Sequence, residues 1–194
     1  MARPRAFDED QVLEAVMETF WRKGYEGTSA QDLVEATGLG RGSLYAAYAS
    51  KDGLFAQALL RYRRRTQARV DRLARPGPVL DRLRELLVDV LDADLAAPQQ
   101  RGCLATNSAI ERAGADPAVA EMVRYNFTLL HQGIEATLRR GQATGELRAG
   151  FDPAVQALLM LTTVQGLRVL VRTARPGDRE RFLAVIEQVL APLR

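Results

Sequence analysis

The chain has 194 residues, 47% apolar and 26% charged, the make-up of a soluble globular protein long enough to bury a core. A single cysteine, Cys103, excludes an intrachain disulfide, and a single histidine, His131, cannot by itself build a metal site or a catalytic triad. The formal net charge of +3 is unevenly placed: residues 41–75 carry nine basic and two acidic side chains, residues 1–40 four and eight, and residues 76–194 fourteen of each. A local basic excess points to a polyanion partner, nucleic acid first, with a solvated helix face as the plain alternative. No apolar run is read as reaching the ~18 residues of a membrane span. The opening MARPRAFDED lacks the apolar stretch of a secretory signal, so a cytoplasmic location and no membrane partner are expected.

Nearly the whole chain reads as helix. Asp8 is placed as an N-cap with Gln11 as its capping-box partner, and Phe7 and Val12 as a hydrophobic staple. Val12, Leu13, Val16, Met17, Phe20 and Trp21 follow at helical spacing, and Gly24 ends the run. Thr28-Ser29-Ala30-Gln31 matches a capping box for a short second helix with Leu33, Val34 and Ala36 inward, closed by a turn at Gly38. A third helix has Leu44 and Ala47 or Tyr48 inward, and Ser50 caps a fourth of about 25 residues. ARPGP at 74–78 is the clearest break, since two prolines and a glycine stop a helix.

Beyond it, leucines at helical spacing give a helix at roughly 79–96, and residues 103–112 a short one. Asp116-Pro117 and Asp152-Pro153 are each an N-cap followed by proline at the first helical position. They open helices running to about Thr144 and to about Arg175. Asp178 is expected to cap the last. The division expected is a helix-turn-helix domain at 1–50, a connecting helix at 51–75 and a helical domain at 76–194.

Three short helices, the second and third joined by a tight glycine turn, describe a helix-turn-helix whose third helix reads the major groove. The segments FWRKGYEGTS (20–29), DLVEATGLGRGSLYAAY (32–48) and SKDGLF (50–55) together resemble the DNA-binding domain of the tetracycline-repressor (TetR) family. The resemblance covers Phe7 to about Leu60. It implies an all-α fold of about nine helices, an N-terminal three-helix DNA-binding domain followed by a C-terminal helical ligand-binding and dimerisation domain.

The resemblance also implies site residues. Thr28 and Ser29 would contact phosphate at a helix start, where backbone N–H groups attract anions. Gly40, Arg41, Gly42, Ser43 and Tyr45 fall at the recognition-helix start. Arg41 has the geometry for a guanine edge, and Gly42 allows close backbone approach. Tyr48 would offer its hydroxyl to phosphate or else serve the core. Lys51 would be a phosphate clamp, and Arg3 and Arg5 a basic arm into the minor groove or a plain tail. The family often has serine or threonine where Gly40 stands, and polar residues where Ala46 and Ala47 stand. Few direct base contacts are therefore expected. The run Arg61-Tyr62-Arg63-Arg64-Arg65 is read as a solvated face of the fourth helix.

For residues beyond about 79 the resemblance implies a small effector and a homodimer. The apolar breadth of helices at about 153–174 and 178–193, with Thr162, Thr163 and Gly166 permitting close approach, supports pairing of these helices with their copies. Effector candidates are Cys103, Asn107, Met122, Tyr125, Asn126, Phe127 and His131. Cys103 is either a small buried hydrophobe or, within RGCLATNS, a thiol favoured as thiolate by Arg101 and a helix start. No cofactor, metal or enzymatic activity is expected. The expected function is a ligand-responsive regulator, a repressor, bound to a palindromic double-stranded operator. The alternative is a non-specific architectural DNA-binding protein without effector.

Overall fold

A computed structural model describes residues 8–194; Phe7, Arg3 and Arg5, and with them the expected staple and basic arm, lie outside the described residues. Among the described residues the chain forms nine α-helices and no strand: α1 Glu9–Lys23, α2 Ala30–Thr37, α3 Arg41–Tyr48, α4 Lys51–Leu73, α5 Val79–Ala96, α6 Leu104–Glu111, α7 Pro117–Thr144, α8 Pro153–Leu170 and α9 Asp178–Leu190. The all-α class with an N-terminal helix-turn-helix holds.

The caps explain most of the boundaries. Asp8 accepts from the N–H groups of Asp10 and Gln11. Asp116 and Asp152 do the same ahead of Pro117 and Pro153. Two caps differ from expectation. The capping box of α2 is Ser29 with Asp32, one residue later than Thr28 with Gln31, and Ala36 is exposed. At α9 the cap is Gly177, and Asp178 is already helical, its carboxylate accepting from the Arg175 N–H.

The chain divides into two compact units. The first holds the described residues up to Arg64 together with Leu104–Val123; the second holds Arg65–Cys103 with Arg124–Arg194. In the first unit, Val16, Met17, Phe20, Leu33, Leu44, Leu54, Phe55 and Ala58 are buried. Edge-on aromatic pairs join α1 to α4 within it, Phe20 with Phe55 and Trp21 with Tyr62, each at 5.0 Å between centroids. Tyr62 and Arg61 thereby leave the expected solvated face. Tyr62 is core, and Arg61 donates to Glu14 at 2.5 Å and to Asp10 at 2.8 Å.

The second unit is built on the inner stripes of α5, α8 and α9 and the later part of α7, including Leu83, Leu87, Leu91, Ile134, Leu138, Met160, Val164 and Ile186. A buried ion pair crosses it. Arg168 of α8 holds Asp94 of α5 at 2.7 and 3.0 Å and the Gly102 carbonyl at 3.0 Å. Contrary to the expectation of no membrane-length apolar segment, Pro153–Thr173 is long and apolar enough by composition, with a mean hydropathy of 1.6. One stripe of it is core and carries the buried Arg168; the other is exposed and apolar.

Candidate nucleic-acid interface

The turn between α2 and α3 rests on Gly38, whose φ of 69° is left-handed and whose N–H returns to the Val34 carbonyl. Few residues other than glycine take that conformation at low cost. α3 is then anchored from below by Leu44 and Tyr48, both buried, while Arg41, Gly42, Ser43 and Ala46 face outward. Gly40 caps α3 with no side-chain hydrogen bond. The Arg41 guanidinium lies 5.7 Å from the Tyr45 ring centre, one helical turn on.

Two glycines of this region differ in kind. A Cβ on Gly53 would lie 2.0 Å from the Tyr48 carbonyl oxygen, so the α3–α4 corner requires glycine there. A Cβ on Gly42 would meet nothing within 4 Å. Gly42 is bare for no reason internal to the chain, and it leaves the start of α3 open as backbone. Ser50 closes the corner, its Oγ accepting from the Gly53 N–H at 3.1 Å.

The remaining expected DNA contacts are placed unevenly. Thr28 is buried, its hydroxyl donating to the Gly24 carbonyl at 2.6 Å and its own N–H to Tyr25, so neither is turned to a phosphate. Ser29 is exposed, but its Oγ and N–H are engaged with Asp32. Tyr48 belongs to the core, its hydroxyl 3.5 Å from Glu9. Lys51 is half-buried with its ammonium 4.3 Å from the Tyr25 ring centre.

Tyr25 is a contributor that the sequence reading passed over. Its hydroxyl donates to Asp52 at 2.5 Å. Burial first, and then the Asp52 carboxylate, pushes its pKa up to about 12. Its backbone N–H donates to Glu111 of α6, 86 positions away, at 2.8 Å, and the Arg112 guanidinium lies 4.1 Å from its ring centre. No local sequence signal announces such a contact.

The effector candidates are divided between the two units. Asn107 and Met122 lie in the first unit; Cys103, Tyr125, Asn126, Phe127 and His131 lie in the second. Cys103 is buried, Tyr125 is exposed, and Asn126 is buried with its side-chain oxygen accepting from Thr66 at 2.9 Å. His131 Nε2 is 3.0 Å from the Ala154 carbonyl oxygen. A small cavity beside the Asp94–Arg168 pair, of about 10 Å³, holds no more than a water.

A short helix-turn-helix with an outward, bare-backboned third helix defines the class of helix-turn-helix DNA-binding regulators. A model of the "Bacterial regulatory proteins, tetR family" domain matches residues 12–58, and one of the "Tetracyclin repressor-like, C-terminal domain" matches residues 79–186. The chain is 35% identical over 194 residues, the full length of both, to the uncharacterized HTH-type transcriptional regulator YezE of Bacillus subtilis (strain 168). It is 28% identical over 172 residues, 88% of this chain and 82% of the relative, to the HTH-type transcriptional repressor ComR of Escherichia coli (strain K12). Among solved structures, a cysteine mutant of the TetR family transcriptional regulator CifR, in complex with 26-bp double-strand operator DNA, superposes with a TM-score of 0.85 at 34% identity over 100% of both chains. The protein belongs to the TetR family of transcriptional regulators, a family of regulators and not of enzymes.

Proposed function

We propose that the chain is a homodimeric repressor that grips a palindromic operator through α3 and is released by a small effector. The observation that carries this is the surface of α3: Arg41, Gly42 and Ser43 stand outward on a helix start whose glycines have nothing of the protein beside them. Arg41 supplies base-edge contact, Ser43 and Tyr45 hydroxyls, and Lys51 a phosphate contact. Ala46 and Ala47 offer no hydrogen bond, so readout rests on few bases and on DNA shape. The DNA-binding role falls to residues before about 51 and the effector and dimer roles to those after about 76. The protein works in the cytoplasm, with the chromosome.

Dimerisation through α8 and α9 is supported by an exposed apolar row, Val155, Leu158, Leu159, Val169 and Leu170 on α8 with Val185 on α9. An open groove of about 650 Å³ runs beside Gly166, Leu170, Phe182 and Val185. An exposed row of large apolar side chains suits an interaction surface, and two-fold pairing there suits a palindrome. ComR is a repressor and CifR is held on operator DNA, which favours the same sign and partner here. The effector acts by population shift: it binds better to a form whose recognition helices are wrongly spaced. Its site falls among the second-half candidates, with Cys103, Asn126, Phe127 and His131 in one unit.

Selection of bound duplexes from a random pool tests the reading. Recovery of a palindrome supports it. Salt-sensitive binding with no recovered motif supports an architectural DNA binder instead.

A further inference from the structure

We propose that Glu111 and Arg112, at the end of α6, are positioning residues for DNA binding: they fix Tyr25, and through it the Lys51 ammonium, where that ammonium takes a DNA phosphate. This rests on the reading of the chain as a DNA-binding regulator. Both Glu111 carboxylate oxygens are engaged, one by the Tyr25 N–H and one by the Glu26 N–H, each at 2.8 Å. Those two donors follow Gly24, the C-cap of α1, and a carboxylate bridging them holds the α1–α2 turn by charge-assisted bonds. Arg112 takes the adjoining ring: its guanidinium lies 4.1 Å from the Tyr25 centroid and reaches Asp116 at 3.1 Å, Glu26 at 3.4 Å and Asp52 at 3.6 Å.

Tyr25 is therefore fixed by its backbone, its ring and its hydroxyl at once, and the Lys51 ammonium rests against that ring at 4.3 Å. A lysine is a flexible point charge, and a fixed aromatic face narrows where its ammonium sits. All of these groups lie in the first unit, yet Glu111 and Arg112 come from beyond residue 100. The DNA-binding unit is completed by a segment far along the chain from the helix-turn-helix.

The test uses the full-length protein, with a duplex recovered from the random pool as probe, and anisotropy over a range of salt. Glu111→Gln removes a negative charge from a unit that binds a polyanion, so charge alone predicts tighter binding. Positioning predicts the reverse: binding roughly five- to tenfold weaker, with a salt slope shallower by about one, as for loss of one phosphate contact. In a Lys51→Ala background the same change has no further effect. Arg112→Gln, read in the same two backgrounds, gives the same pattern and stands in if Glu111→Gln does not fold. Binding as tight as wild type, an unchanged salt slope, or equal weakening with and without Lys51 overturns the proposal. A wild-type protein that binds no duplex overturns the DNA-binding reading itself, and this proposal with it.

Discussion

Gly42 lies in the first turn of α3, takes no left-handed backbone and has open space where a side chain would go. Alanine there removes a helix penalty of up to about 1 kcal/mol. Gly42→Ala is therefore expected to raise the melting temperature slightly while weakening operator binding; a variant that gains stability and keeps full affinity shows that the bare backbone has no role at DNA. Gly53→Ala, forced against the Tyr48 carbonyl, destabilises instead. Tyr25 gives a second residue-scale outcome. Its pKa is raised, so the stability it contributes is present below pH 10, the ordinary tyrosine value, and is lost as pH rises through about 12. Absorbance titration checks this: the late ionisation of Tyr25 should be missing from the curve of Tyr25→Phe. The resemblance of the motif placed Arg41 and Gly42 at the start of the third helix, and both are exposed there. It misjudged Thr28, since adjacent threonine and serine both suit a cap and only folding shows which hydroxyl turns back to the Gly24 carbonyl.

At the scale of elements, α2 depends on its cap. Ser29→Ala removes half of the capping box and is expected to cost about 1 kcal/mol in urea unfolding. The Lys23 ammonium, and then the Ser29 N–H and hydroxyl, hold Asp32 down at about 2. A depressed carboxylate contributes stability above its ordinary value near 4, and loses it as pH falls toward 2. Carboxyl titration by NMR checks this, and Lys23→Met should move Asp32 upward. Helix boundaries were legible wherever a side-chain cap met a proline or glycine, as at Asp116-Pro117, Asp152-Pro153 and Gly24. At α9 the glycine itself is the cap, and the aspartate after it looked like the better candidate because its charge suits a helix start.

At the scale of the whole molecule, the second unit carries two separable features, the buried Asp94–Arg168 pair inside and the apolar row outside. Removing one partner, as in Arg168→Met, leaves Asp94 buried without its counter-charge and is expected to destabilise by about 3–5 kcal/mol. Leu158→Glu with Leu170→Glu alters only the exposed row and is expected to give a folded monomer by sedimentation; a dimer that survives both changes places the interface elsewhere. Periodicity showed that α8 and α9 are apolar on broad faces but not which residues stay outside. The joining of Glu111 to Tyr25 across 86 positions had no local sign at all. The central claim is sequence-specific binding by a two-fold dimer. The most direct test is the affinity of the wild-type protein for its selected palindrome against the same duplex with one half-site scrambled. A loss of at least about tenfold is expected, since even the one or two base pairs that α3 reads cost roughly 1–3 kcal/mol each when altered. Equal affinity for the two duplexes contradicts it.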